Sequence, residues 1–83
     1  MAHSHFAVRI DIPMSLPRKE RNLQYRAARA KLASAGHRDA TYFQFVDGDA
    51  RGKVSAKRKA DALAAALTVQ TGIALAVNEG CFV

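Results

Sequence analysis

One uninterrupted segment constrains the fold more than any other feature of the sequence. Residues 18–35 contain neither proline nor glycine and are rich in alanine and arginine, which favour helices. Ser15 is a capping-type residue, Pro17 has a φ suited to a helix start, and Gly36 suits a helix end. The segment therefore predicts one long helix, from Arg18 to about Ala35.

A strand pattern precedes this helix. Four apolar residues alternate with other residues, as in a half-buried strand; they are Phe6, Val8, Ile10 and Ile12. Pro13 ends the strand, because proline has no N–H to donate to a sheet. We expect residues 1–5 to form a frayed tail.

A second strand pattern follows the helix, over Ala40–Val46, where β-formers are concentrated. The alternation places Phe43 and Phe45 on the core face and Tyr42 and Gln44 on the other face.

Turn-forming residues occupy positions 47–52. A short third strand from Lys53 to Ser55 is expected to pair back as a hairpin. Ser55 then suits the N-cap of a second helix from Ala56 to about Thr71, which Gly72 ends.

The last predicted strand is Ile73 to Val77. Asn78, Glu79 and Gly80 are expected to turn the chain. The final residues, Cys81 to Val83, either pack back or fray.

The predicted element order is β-α-β-(β)-α-β, within one domain that covers residues 1–83. This order predicts an α+β, ferredoxin-like sandwich, with both helices on one face of a three- or four-stranded, mainly antiparallel sheet. Without the third strand, it becomes a small open layer of three strands.

Composition restricts the class of protein. Apolar residues make up 49% and charged residues 24% of 83 residues, as in folded soluble domains. Since no apolar run reaches the roughly 20 residues of a membrane helix, we expect no membrane partner. The lone cysteine, Cys81, excludes an internal disulfide, fits a cytoplasmic location and is expected to be a small buried apolar residue. Heavy use of alanine and arginine suggests a GC-rich bacterial or phage genome.

Basic residues are concentrated in two segments, and the formal net charge is +6. The first helix and the approach to the second helix hold eleven of the thirteen basic residues and one acid, Glu20. Positive charge at a helix start, together with free N–H groups, favours bound anions. The candidate binding residues for nucleic acid or an acidic partner are Arg18, Lys19, Arg26, Arg29, Lys53, Lys57, Arg58 and Lys59.

Two apolar stripes run along the first helix. We assign one stripe to the sheet; it contains Leu16, Leu23, Ala27 and Ala30. A second stripe, Tyr25, Ala28 and Leu32, lies on another side and is the candidate contact of a homodimer.

Two functions follow from these features. The first is a small, non-enzymatic accessory protein that binds nucleic acid through the two basic segments. The second is a protein–protein regulator or inhibitor, of a kind that phages encode, whose basic helix docks on an acidic surface. The sequence contains no paired carboxylates or nucleophile–base motif, so we predict no catalytic residues and no cofactor. His3, His5 and His37 are expected to be surface residues, and no metal site is predicted.

The segment from Phe43 to Val46 is similar in part to the aromatic strand of RNA-recognition motifs. It lacks a preceding Arg/Lys-Gly pair, and it is the second strand rather than the third. Phe43 and Phe45 therefore stay in the predicted core, and Tyr42 is the candidate exposed stacking ring.

The run from Val8 to Pro13 resembles the opening of the small CRISPR adaptation subunit and its related toxin ribonucleases. Those proteins are ferredoxin-like dimers with an aspartate at the end of the first strand. The resemblance implies a third function, a metal-dependent nuclease in which Asp11 of each subunit holds a divalent ion at the dimer axis.

Overall fold

A central strand organises the fold. The computed structural model describes residues 2–38 and 40–81. Along the chain, the elements are β1 (His3–Ile10), α1 (Arg18–Ser34), β2 (Ala40–Val46), α2 (Ala50–Thr71) and β3 (Leu75–Cys81). The sheet order is β2-β1-β3, with both pairings antiparallel. The predicted α+β, ferredoxin-like class is confirmed, in its three-stranded form.

The strand β1 begins earlier than predicted. His3, Ser4 and His5 lie in β1, and all three pair with residues of β2. Ser4 and His5 also pair with Cys81 and Gly80 of β3, and Ser4 is buried. The expected frayed tail is therefore wrong for residues 3–5, because sheet pairing, which is on both sides for Ser4 and His5, compensates for their weak strand propensity. The prediction for Met1 lies outside the described residues. At its other end, β1 stops at Ile10, before the predicted Ile12.

The core lies between the sheet and α2. Three alanines of α2 pack against apolar residues of β1 and β2, and the buried cluster is Phe6, Val8, Phe45, Ala56, Ala60 and Ala64. Since alanine side chains are small, α2 lies close to the sheet. Phe43 packs against this cluster, while Tyr42 and Gln44 are exposed on the other face, as predicted.

The two apolar stripes of α1 face the opposite way from the prediction. Leu32 is 1% exposed and packs with Leu67 and Ile73, and Ala28 packs against the same cluster. In contrast, Leu23, a member of the stripe predicted to face the sheet, is 60% exposed. Periodicity located both stripes but did not determine which one faces the core.

The helix α2 begins earlier than predicted. Asp49 is its N-cap residue, and its Oδ1 accepts a hydrogen bond of 3.0 Å from the N–H of Gly52. The predicted strand from Lys53 to Ser55 is therefore wrong, as is the cap at Ser55, because both lie inside α2. An aspartate cap satisfies an N–H group that would otherwise lack a partner at the helix start.

The strand β3 extends further than predicted. Asn78, Glu79 and Gly80 are strand residues rather than a turn, and they pair with Ala7, Phe6 and His5, respectively. The extension follows from the longer β1, which offers partners as far as Ser4. Cys81 ends the strand and is exposed, which contradicts its predicted burial. The predictions for Phe82 and Val83 lie outside the described residues.

Candidate functional site

Exposed cations surround much of α1. Relative to Leu32, which faces the core, four cations occupy a basic arc from about 40° to about 140° at roughly 100° per residue. The members of the basic arc are Arg18, Arg29, Arg26 and Lys19, and all four are exposed. The predicted clustering of these side chains on one side of α1 is consistent with the observed helix bounds.

An apolar stripe borders the basic arc. Leu23, Ala27 and Ala30 are exposed, and on the helical wheel they lie opposite the face that Leu32 directs to the core. The outer side of α1 is thus a strip of small and apolar residues beside a row of cations.

Three consecutive cations lie on α2. Lys57, Arg58 and Lys59 are exposed, and because successive helical residues are about 100° apart, they fan across the outer half of the helix. Since α2 begins at Ala50, they do not stand in its first turn. The predicted anion site made by these residues and the N-terminal N–H groups of the helix is therefore wrong.

Among the residues that the structure describes, most of the predicted binding cations have no anionic partner. Within residues 2–38 and 40–81, six of them take part in no ion pair: Arg18, Lys19, Arg26, Lys57, Arg58 and Lys59. Lys53 differs, because its Nζ lies 3.0 Å from Glu79 Oε1 and 5.8 Å from the centre of the Phe45 ring. Its ammonium group is therefore already engaged with β3 and the core edge.

The three residues of the predicted dimer stripe differ in how deeply they are buried. Leu32 is fully enclosed by the chain's own core, and Ala28 packs at the edge of that core. Neither residue is presented outward as the prediction required, whereas Tyr25 is 36% exposed. The homodimer itself stays a prediction.

A cleft lies between α2 and the edge of β2. Residues 42–44 of β2 border it on one side, and the other side includes Ser55 and Lys59; of the three β2 residues only Phe43 points toward α2, since Tyr42 and Gln44 lie on the opposite face of the sheet. Because α2 begins after Asp49 rather than after Ser55, Gly52 and Ser55 lie on this helix beside β2, and the Asp49-to-Gly52 spacing was the signal that could have revealed it.

The candidates for metal chemistry do not come together. In the described part of the chain, no three His, Cys, Asp or Glu side chains form a group that could hold a metal ion. Asp11 follows β1, is exposed, and donates its backbone N–H to the carbonyl oxygen of Ala74 at 2.9 Å. The nuclease function that the resemblance implied stays a prediction.

Comparisons with known proteins add no identification. No protein-family model, curated protein or solved structure matches this chain. Among the described residues, neither helix has an apolar stretch long enough to cross a bilayer.

Proposed function

We propose that this protein binds nucleic acid through the exposed cations of α1 and α2. We call this set of seven residues the basic surface: Arg18, Lys19, Arg26, Arg29, Lys57, Arg58 and Lys59. The observation that carries the proposal is that six of these cations are exposed without an anionic partner among the described residues. Lys53 is left out of the basic surface because it pairs with Glu79.

The distribution of charge supports an anionic partner. Helix α1 carries six basic residues and one acid, and α2 carries five basic residues and one acid. The remaining residues carry more acids than bases, although the whole chain is at +6. Like charges held close together repel one another, and a polyanion that neutralises them relieves this repulsion.

Phosphate contacts predict a steep dependence on salt. Each neutralised phosphate of duplex DNA lowers the slope of log K against log salt by about 0.9. If about four cations contact phosphates, affinity falls roughly 100-fold between about 50 and about 200 mM salt. Such binding is largely indifferent to sequence, because phosphates carry no base information.

Fluorescence anisotropy of labelled single-stranded and duplex oligonucleotides tests the proposal. Replacing Lys57, Arg58 and Lys59 by glutamine should weaken binding strongly, and replacing them by glutamate should abolish it. The matched control replaces three other exposed cations by glutamine and lowers the net charge equally; these are Lys31, Arg38 and Lys53. Absence of binding by the wild type in low salt contradicts the proposal, as does an equal loss in the control.

An acidic protein surface is the second candidate partner. It is favoured by the apolar stripe on α1, where Leu23 is 60% exposed beside the basic arc. Protein interfaces use exposed apolar residues with a charged rim, whereas phosphate binding needs no apolar contact. Affinity purification with and without nuclease separates the candidates. A protein that stays bound after nuclease treatment, and is lost on Leu23→Ser, supports the second.

A further inference from the structure

The strand β2 forms an edge of the sheet without the usual protection against pairing. Among the described residues, one side of β2 has no neighbouring strand, and α1 does not contact β2. Edge strands commonly carry charged residues, proline or a bulge, which prevent pairing with another chain. Ala40–Val46 contains no charged residue and no proline, whereas the strand at the other edge, β3, contains Glu79. The β2 edge is therefore suited to accept a further strand.

The backbone hydrogen-bonding groups of β2 alternate in direction along the strand. The N–H of Asp47 donates to the carbonyl oxygen of Ala2 at 3.0 Å, so this facing pair is of the hydrogen-bonded type. Hydrogen-bonded pairs alternate along an antiparallel ladder. In the observed register, Phe43 therefore bonds to β1, whereas Tyr42 and Gln44 direct their backbone N–H and C=O groups away from β1.

Two copies of β2 are complementary when they run antiparallel about a two-fold axis at Phe43. In this register, Tyr42 of each copy faces Gln44 of the other. Both residues direct their backbone groups to the edge, so each facing pair exchanges two hydrogen bonds. Thr41 faces Phe45 of the second copy, which is a favourable cross-strand pair of a β-branched and an aromatic residue. No other register of two β2 strands pairs all seven residues.

The cleft between α2 and the β2 edge leaves room for a second aromatic ring. Phe43 points toward α2 and is partly exposed at the border of this cleft, which has a volume of about 410 Å³. The residues of α2 that line it include Gly52 and Ser55, which have small side chains or none. Paired aromatic rings stabilise an interface beyond the area that they bury. Antiparallel pairing would therefore bury the exposed part of each Phe43 ring against the other.

The distribution of charge indicates where two copies of this chain can meet. The net charge is +6, and both helices carry mostly basic residues, so contacts between the helices of two copies are repulsive. Among the helices and strands of the described chain, β2 is the one element that contains no charged residue. A second copy is therefore repelled least at the β2 edge.

We propose that β2 is the interface of a homodimer, in which the three-stranded sheets of two copies join into one continuous sheet. The surface differs from the stripe predicted on α1. Because the two Phe43 rings meet on one face of the joined sheet, both copies of α2 lie on that face. The dimer would thus carry the cations of both α2 helices on the same side, which goes beyond the proposed function of a single chain.

Sedimentation equilibrium without nucleic acid tests the interface. We expect the average mass to rise with concentration from the 9.0 kDa of one chain toward twice that value. Since two copies of +6 repel each other, added salt should strengthen dimerisation, whereas it weakens phosphate binding. A mass that stays at one chain at all concentrations, in low and in high salt, would refute the dimer and leave the proposed function untouched.

The variant Gln44→Pro removes an N–H that points to the edge and leaves the ladder with β1 in place, because an edge strand tolerates proline where its N–H faces outward. Symmetry doubles the loss to two hydrogen bonds, so the dissociation constant of the dimer should rise roughly 5- to 150-fold. Gln44→Ala keeps the N–H and should dimerise like the wild type. Thermal unfolding verifies the fold of both variants. Unchanged dimerisation of folded Gln44→Pro would contradict the interface.

Disulfide formation tests the register independently of proline. In a Cys81→Ser background, Tyr42→Cys and Gln44→Cys are oxidised separately and as a mixture. Facing residues have Cα atoms about 5.5 Å apart, which a disulfide spans, whereas two copies of the same position lie diagonally, at about 7–8 Å, which is too far. We expect cross-linked dimers in the mixture and few in either variant alone. No cross-linking in the mixture, or equal cross-linking in all three samples, would overturn the proposal.

Discussion

The ammonium group of Lys53 on α2 lies 3.0 Å from the carboxylate of Glu79 on β3. The two side chains are each half exposed, and Lys53 Nζ also lies 5.8 Å from the centre of the Phe45 ring. This pair joins the start of α2 to β3. An exposed ion pair of this kind contributes about 0–1 kcal/mol, so its larger effect is on where Lys53 directs its charge.

Releasing Lys53 should strengthen nucleic-acid binding. In Glu79→Gln, the lysine loses its carboxylate partner and becomes available to a phosphate. We expect tighter duplex binding, with the salt slope steeper by up to about 0.9. The same substitution in a Lys53→Gln background should leave the slope unchanged. Equal effects in the two backgrounds, measured by anisotropy, would show that Glu79 acts through overall charge instead.

The two leucines of α1 should differ strongly in their contribution to stability. Leu32→Ala opens a cavity beside Leu67 and Ile73, and such changes cost about 2–5 kcal/mol. Leu23→Ala removes an exposed side chain and should change the free energy of unfolding by no more than about 0.5 kcal/mol. Urea denaturation of the two variants measures both values. Similar losses would mean that the helix is rotated from the orientation described above.

The stabilising effect of the N-cap hydrogen bond of α2 should be separable from the effect of the charge on Asp49. Asp49→Ala removes the acceptor of the Gly52 N–H and should cost about 0.5–2 kcal/mol. Asp49→Asn keeps an oxygen acceptor and removes the charge, so it should retain most of the stability. Chemical denaturation compares the two. A loss in Asp49→Asn as large as in Asp49→Ala would assign the effect to charge rather than to the hydrogen bond.

The effect of a substitution at Gly80 on stability should depend on His5, the residue opposite it on β1. A Cβ at position 80 would lie 3.0 Å from Nε2 of His5, which is tight, so Gly80→Ala should destabilise the wild type. In a His5→Ala background the crowding is absent, and alanine is preferred over glycine in a strand by about 0.5–1 kcal/mol. The sign of the effect should therefore reverse between the two backgrounds. Thermal unfolding of the four proteins checks this, and the same sign in both backgrounds would contradict it.

Elements with strong local signals were predictable from sequence. Pro17, the glycine-free segment and Gly36 located α1 to within a residue, and the β-formers located β2 at its observed bounds. The errors came where two local signals competed. Asp49 and Ser55 are both capping residues, and only the folded chain shows that Asp49 begins α2.

The remaining errors involve contacts between distant segments. The Asn78-Glu79-Gly80 sequence is typical of a turn, yet pairing with β1 makes it a strand. That register places Glu79 beside Lys53 and Gly80 opposite His5. Since both contacts depend on the register, neither could be predicted from the sequence. The same holds for the cleft, because Lys59 and the edge strand β2 come together only when α2 is packed on the sheet. The cations predicted to bind a partner are all exposed, whereas Arg21 of α1 is only partly exposed.

The packing of α1 on the rest of the protein affects the order in which parts of the structure unfold locally. Leu32 is the one residue of this helix that is fully enclosed, and it lies in the last two turns. The amides of the earlier turns are therefore expected to exchange with solvent deuterium through local opening, while those of α2 exchange only when the sheet itself is lost. The helix α1 is thus held to the rest of the protein mainly near its C-terminal end. A polyanion bound to Arg18 and Arg26 would slow the exchange of the amides in its earlier turns.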